Sequence, residues 1–103
     1  MNSFSVILCI VNNGFSETVM DTARRFGAKG GTVLHGRGTA SKEAEKIFDI
    51  TIQPDKEIVM ILIDSSIKND VLNGLYDSVG MGTGAQGIAF ALPVEDVVGM
   101  DNK

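Results

Sequence analysis

Val6-Ile7-Leu8-Cys9-Ile10-Val11 is a continuous apolar run rich in β-branched residues, and Ile58-Val59-Met60-Ile61-Leu62-Ile63 is its counterpart in the second half of the chain. Short apolar runs of this kind read as buried strands. Asn12-Asn13-Gly14 breaks the first, and Asp64-Ser65-Ser66 ends the second. A helical pattern follows each. After the first strand, Ser16 is placed as an N-cap with Glu17 in the first turn, and Phe15 is placed to staple onto Met20. Val19, Met20, Ala23 and Phe26 then form one apolar stripe, stopped by Gly27 or Gly30. After the second strand, Ile67, Val71, Leu72, Leu75 and Val79 make the equivalent stripe, stopped by Gly80. A further strand follows each helix: Thr32 to His35, and Ile88 to Leu92, the latter ended by Pro93. Val6 falls on Ile58, and Gly27-Ala28 near Gly80, when the halves are laid over one another. Two βαβ-like units in one short chain predict an α+β fold, the ferredoxin-like βαββαβ plait. It is a two-layer sandwich: an antiparallel four-stranded sheet with two helices on one face.

Between the halves lies Thr39 to Lys56, too long for a hairpin turn. Ser41 is placed to cap a short helix through Glu43, Ala44, Glu45 and Lys46. Ile50 and Ile52 alternate with polar neighbours like a strand edge, and Pro54-Asp55 is a turn signal. Long connections in compact domains are usually functional or mobile. The bland reading is an ornament packed by Phe48 and Ile52.

The 103 residues read as one domain, 1–103, with 44% apolar and 21% charged residues, a globular composition. A core of this size is modest, which favours oligomerisation. The formal net charge of −4 argues against nonspecific nucleic-acid binding, which needs a basic footprint. The short first apolar run has no basic flank, so neither a signal peptide nor a membrane span is read, and the cytoplasm is the expected location. Cys9 is the only cysteine and His35 the only histidine. No internal disulfide is possible, and no metal is expected, since a site needs several convergent ligands. Cys9 reads as a small buried hydrophobe.

Eight of the 12 glycines fall in two motifs, Gly30-Gly31-Thr32-Val33-Leu34-His35-Gly36-Arg37-Gly38-Thr39 and Gly80-Met81-Gly82-Thr83-Gly84-Ala85-Gln86-Gly87. Such stretches allow positive φ and close approach to bare backbone, and clustered amides suit an anion such as phosphate. The competing reading is that they only build turns and helix caps.

The order of elements, together with Gly30-Gly31-Thr32-Val33 leading into Gly36-Arg37-Gly38, with Gly82-Thr83-Gly84-Ala85-Gln86-Gly87-Ile88-Ala89-Phe90 and with Leu92-Pro93-Val94-Glu95-Asp96-Val97-Val98, resembles the PII family of signalling proteins and their PII-like relatives. The resemblance covers nearly the whole chain. It implies a homotrimer with its sheets facing inward and an adenine nucleotide (ATP, ADP or AMP) in each cleft between subunits. It also implies a long signalling-type loop, here 39–56, that reaches a partner such as a membrane transporter or enzyme, and a role in nitrogen regulation. Carried onto this chain, the nucleotide-binding candidates are Thr32, Gly36, Arg37, Gly38 and Thr39 on one side of the cleft and Thr83, Gly84, Gln86 and Gly87 on the other.

The chain departs from the family pattern. Ile88 stands where a basic residue follows the nucleotide loop, and Val94 to Lys103 supplies no arginine. Arg37 is the only cation in either motif and is the candidate for the phosphate contact. The long loop has no tyrosine, which excludes control through a loop tyrosine. The resemblance implies a regulator and not an enzyme. Two other readings use the same plait. An amino-acid-binding module would use Asn12-Asn13-Gly14. A small enzyme of acylphosphatase type would need an arginine between Asn12 and Ser16, where there is none.

Overall fold

The computed structural model describes residues 3–39, 42–48 and 52–100. The order of elements is β1 (Phe4–Asn12), α1 (Ser16–Arg25), β2 (Thr32–Arg37), α2 (Lys42–Phe48), β3 (Asp55–Asp64), a 3-10 turn (Ser65–Ile67), α3 (Lys68–Val79) and β4 (Ile88–Val94). The strands form one sheet in the order β2-β3-β1-β4, every neighbouring pair antiparallel. The two halves interleave as the sequence predicts.

The apolar runs supply both faces of the sheet, because successive side chains alternate. Ile7, Cys9 and Val11 from β1 and Val59, Ile61 and Ile63 from β3 point to the helices. They form the core with Val19, Met20 and Ala23 of α1 and Val71, Leu75 and Val79 of α3. Each large side chain so buried contributes roughly 1.5–3 kcal/mol. α1 lies over β3, α3 lies over β4 and β1, and the helices touch one another. Thr22 of α1 donates to the Thr18 carbonyl and shares a hydrogen bond with Ser78 of α3 across that contact. Phe26, placed on the apolar stripe by sequence, sits at the rim and is 38% exposed.

Both helices that pack on the sheet, α1 and α3, cover one face, and the opposite face is the open one. Val6, Leu8 and Ile10 are half-buried there, while Leu34, Met60, Phe90, Ile88 and Leu92 are exposed. In register, Leu8 stands between Met60 and Phe90, and Ile10 between Ile58 and Ile88. The open face is therefore a continuous apolar surface.

The ends of the elements differ from expectation in instructive ways. Ser16 is the first helical residue, not the cap: Phe15 occupies the N-cap position and offers no side-chain acceptor. The acceptor comes from β3 instead, where Glu57 Oε1 receives the Gly14 N–H at 2.7 Å and the Ser16 N–H at 3.3 Å. At the other end of α1, Gly27 adopts φ +112°. The Ala28 N–H donates to the Ala23 carbonyl and the Gly27 N–H to the Arg24 carbonyl, a Schellman closure that requires the left-handed glycine. Gly80 ends α3 in extended conformation, φ −65° and ψ −177°, so it does not stop the helix by a positive φ. Pro93 does not end β4, which runs on to Val94 with Pro93 opposite Ser5. β4 is an edge strand, the one place in a sheet where a missing N–H is tolerated. β2 likewise continues past His35 to Arg37. Ile52 lies outside any strand, and the expectations for Ser41 and Ile50 fall outside the described residues.

Candidate functional site

β1 and β2 run in one direction and β3 and β4 in the other, so the end of β2 and the start of β4 meet at the same end of the sheet. They stand at its opposite edges, with β3 and β1 between them. Three inter-strand steps separate the edges, about 14 Å. The two glycine motifs thus share an end of one molecule but do not touch.

A polar row joins them. Lys56, the second residue of β3, stands opposite Gly36 of β2 on one side and Asn12 of β1 on the other. Its Nζ donates to Asn12 Oδ1 at 2.6 Å. Asn12 Nδ2 donates to the Gly84 carbonyl at 3.0 Å, and the Asn12 N–H donates to the Ala85 carbonyl at 2.9 Å. On the β2 side, the Gly38 N–H donates to the Pro54 carbonyl at 2.7 Å. A Cβ on Gly38 would lie 3.0 Å from Lys56 Cε. Gly38, Lys56, Asn12 and Gly84 therefore form a line across the sheet end.

The candidate residues fall into distinct roles within the chain. Arg37 is exposed, opposite Asp55 in the ladder. Gly36 is half-buried, and a Cβ there would press on Ile58 at 3.0 Å. Thr39 is exposed just beyond. Thr32 lies at the other end of β2, opposite Met60 on the open face, about 17 Å along the strand from Arg37. Within one chain it is not part of the cluster.

The second motif is a tight turn. Thr83 Oγ1 donates to the Gly80 carbonyl at 2.7 Å and accepts the Ala85 N–H at 3.3 Å. The Thr83 N–H donates to Gly80, the Gln86 N–H to Thr83, and the Gly87 N–H to Val79. Gln86 holds φ +48°, the one non-glycine positive φ among the described residues. Gly87 is buried, and any Cβ there would strike the Val79 carbonyl. Thr83 and Gly87 thus build the turn itself. None of these bonds engages the N–H groups of Gly82 and Gly84, and both glycines are exposed.

Glu57 sits one residue from this row and is 8% exposed. Burial acts to raise its pKa. The N–H donors of Gly14 and Ser16, the Ser16 hydroxyl and the nearby His35 outweigh that and hold the carboxyl below its ordinary value. Lys56 and Glu57 were not among the sequence candidates, and Asn12 was one only for the amino-acid-binding alternative. Their only sequence signal is polarity at the ends of two apolar strands. Among the described residues no group of three His, Cys, Asp or Glu side chains is placed to hold a metal, and no helix is long and apolar enough to cross a membrane.

The βαββαβ plait of this chain has clear counterparts among solved structures. PII from Arabidopsis thaliana bound to citrate superposes with a TM-score of 0.69 at 24% identity, covering 92% of this chain and 78% of that one. The fold is that of the PII proteins. CPII from Thiomonas intermedia K12, a nitrogen regulatory PII-like protein bound to ADP, AMP and bicarbonate, matches with a TM-score of 0.65 at 15% identity, covering 95% and 97% of the two chains. GlnK of B. subtilis in complex with ATP matches with 0.63 at 13% identity, covering 89% and 82%. No family model and no curated protein matches the sequence.

Proposed function

We propose that the chain is a divergent PII-like signal-transduction regulator that binds an adenine nucleotide between the subunits of a homotrimer. The observation that carries this reading is the placement of the glycine motifs: same end of the sheet, opposite edges, each presenting one half of a site. When subunits join with their open faces inward, the 80–87 turn of one meets the Gly36-Arg37-Gly38 end of its neighbour. The apolar open face supports the assembly, because a surface of Leu8, Met60, Phe90 and Leu92 needs cover. The free N–H groups of Gly82 and Gly84 would face the phosphates, with Arg37 supplying charge and Lys56 bracing the row. Solved proteins of the same fold hold AMP, ADP or ATP, which supports the choice of ligand class. One holds citrate.

The segment 39–56 would carry nucleotide state to a target, a transporter or an enzyme, by favouring one loop conformation over another. The activity is differential binding and not catalysis. Nitrogen control and a cytoplasmic location belong to the same reading. The amino-acid-binding alternative is weakened by the site it needs: the Asn12 side chain is committed to Gly84 and Lys56, and the Gly14 N–H to Glu57.

The test is sedimentation velocity at micromolar concentration combined with titration calorimetry against AMP, ADP and ATP. A species of three 11.0 kDa chains that binds at least one of these nucleotides is expected. A monomer that binds none of them overturns the proposal.

A further inference from the structure

A pocket of about 290 Å³ opens between α3 and β4, directly beneath the 80–87 turn. Its origin is a shortage of side chain. Cys9 and Ala89 face each other across the β1–β4 ladder, on the side of the sheet that α3 covers, and both side chains are short. Gly80 and Gly87, which close the pocket at the turn, have no side chain at all. Leu72 of α3 adds apolar lining, and Tyr76, which also borders the space, is exposed.

The walls carry no ionised group. Among the described residues no Asp, Glu, Lys, Arg or His lines the space. Cys9 is protonated at neutral pH, since burial pushes its thiol up to about 11. At the two glycines that border the space the backbone is paired: the Gly80 N–H with Tyr76, the Gly87 N–H with Val79, and the Gly80 carbonyl with Thr83. A phosphate, a carboxylate or an ammonium group would lose its water here and gain nothing. An apolar cavity of about 150 Å³ already suffices for benzene.

We propose that this pocket is a second ligand site, for an uncharged apolar molecule the size of one or two fused rings. It does not depend on the nucleotide reading, in which the exposed Gly82 and Gly84 of the same turn would face the phosphates. Its walls include both ends of the turn, Gly80-Met81 and Gly87-Ile88. A molecule seated there braces the turn from below.

The experiment is a titration of the full chain with indole, followed by ¹⁵N–¹H correlation spectra. The expected result is saturable shifts centred on Gly80, Met81, Gly87, Ile88 and Ala89. Ala89→Leu places an isobutyl group in the space and is expected to weaken binding by about tenfold or more. Absence of saturable shifts up to the solubility of indole overturns the proposal. So do shifts centred on Leu8, Met60 and Phe90, which would put the ligand on the open sheet face. A folded Ala89→Leu chain that titrates like wild type overturns it as well. If that variant does not fold, the wild-type shift map alone decides.

Discussion

The two glycine motifs have similar composition and opposite construction. The 80–87 turn is held by hydrogen bonds of its own, through Thr83, Gln86 and Gly87. The Gly36-Arg37-Gly38 stretch is strand and strand end, held to β3 through its ladder and the Gly38–Pro54 bond. In the first case glycine lets backbone meet backbone inside the fold. In the second it lets strand backbone lie against Ile58 and Lys56 while Arg37 stays in solvent. One motif is a fixed platform and the other is the flank of a long connection. In the proposed site the turn would be the half held by its own hydrogen bonds, and the strand end the half that carries Arg37.

The sharpest break in this comparison is Gly87→Ala. The new methyl meets the Val79 carbonyl and lies 2.9 Å from Val11 Cγ1, and neither can withdraw easily. A loss of about 3 kcal/mol of stability is expected, measured by urea unfolding at fixed protein concentration.

Arg37→Ala tests the other motif. It should leave stability almost unchanged and weaken nucleotide binding by about ten- to a hundredfold, the worth of one charge-assisted contact. Titration calorimetry on both chains is the check. Equal affinity would move the phosphates onto the backbone amides of the 80–87 turn.

Glu57→Gln probes the link between the first strand and α1. The variant keeps an acceptor and loses the charge, so a cost of about 1 kcal/mol at neutral pH is expected. The sign of its pH dependence follows from the depressed native pKa. The wild-type contribution is complete above the unfolded value of about 4.3 and disappears as pH falls through the lower native value. The two chains should therefore converge in acid, which unfolding curves between neutral pH and pH 3 would show; a constant gap would refute the assignment.

Gly82→Ala should have the smallest effect. Nothing lies within 4 Å of its Cβ position, so stability should change by less than about 0.5 kcal/mol. A loss of nucleotide affinity without loss of stability would mark the Gly82 N–H as a ligand donor.

The strands and the two main helices were legible because their signals are local. Val6–Val11 and Ile58–Ile63 are short β-branched apolar runs bounded by turn residues, which read as buried strands, and Val71, Leu75 and Val79 repeat at helical spacing. The junctions were not legible, because their partners are remote. The acceptor for the start of α1 comes from Glu57, and no property of Ser16 announces that. Pro93 reads as a stop unless the strand is known to lie at an edge. The glycine motifs were visible as candidates, but the row through Lys56 and Asn12 exists only through strand register. The pocket is hidden for the same reason: Ala89 looks like filler until Cys9 stands opposite and α3 above.

The Glu57 bond also bears on how this protein ages. Asn13-Gly14 is the type of dipeptide that deamidates most readily, because glycine leaves the following amide nitrogen free to attack the asparagine side chain. Here that nitrogen is already donating to Glu57 Oε1 at 2.7 Å, and a succinimide ring cannot close without breaking the bond. The carboxylate that starts the first helix is thus also a chemical lock on the residue before it, and loss of the carboxylate should show on storage as a gain of one mass unit at Asn13.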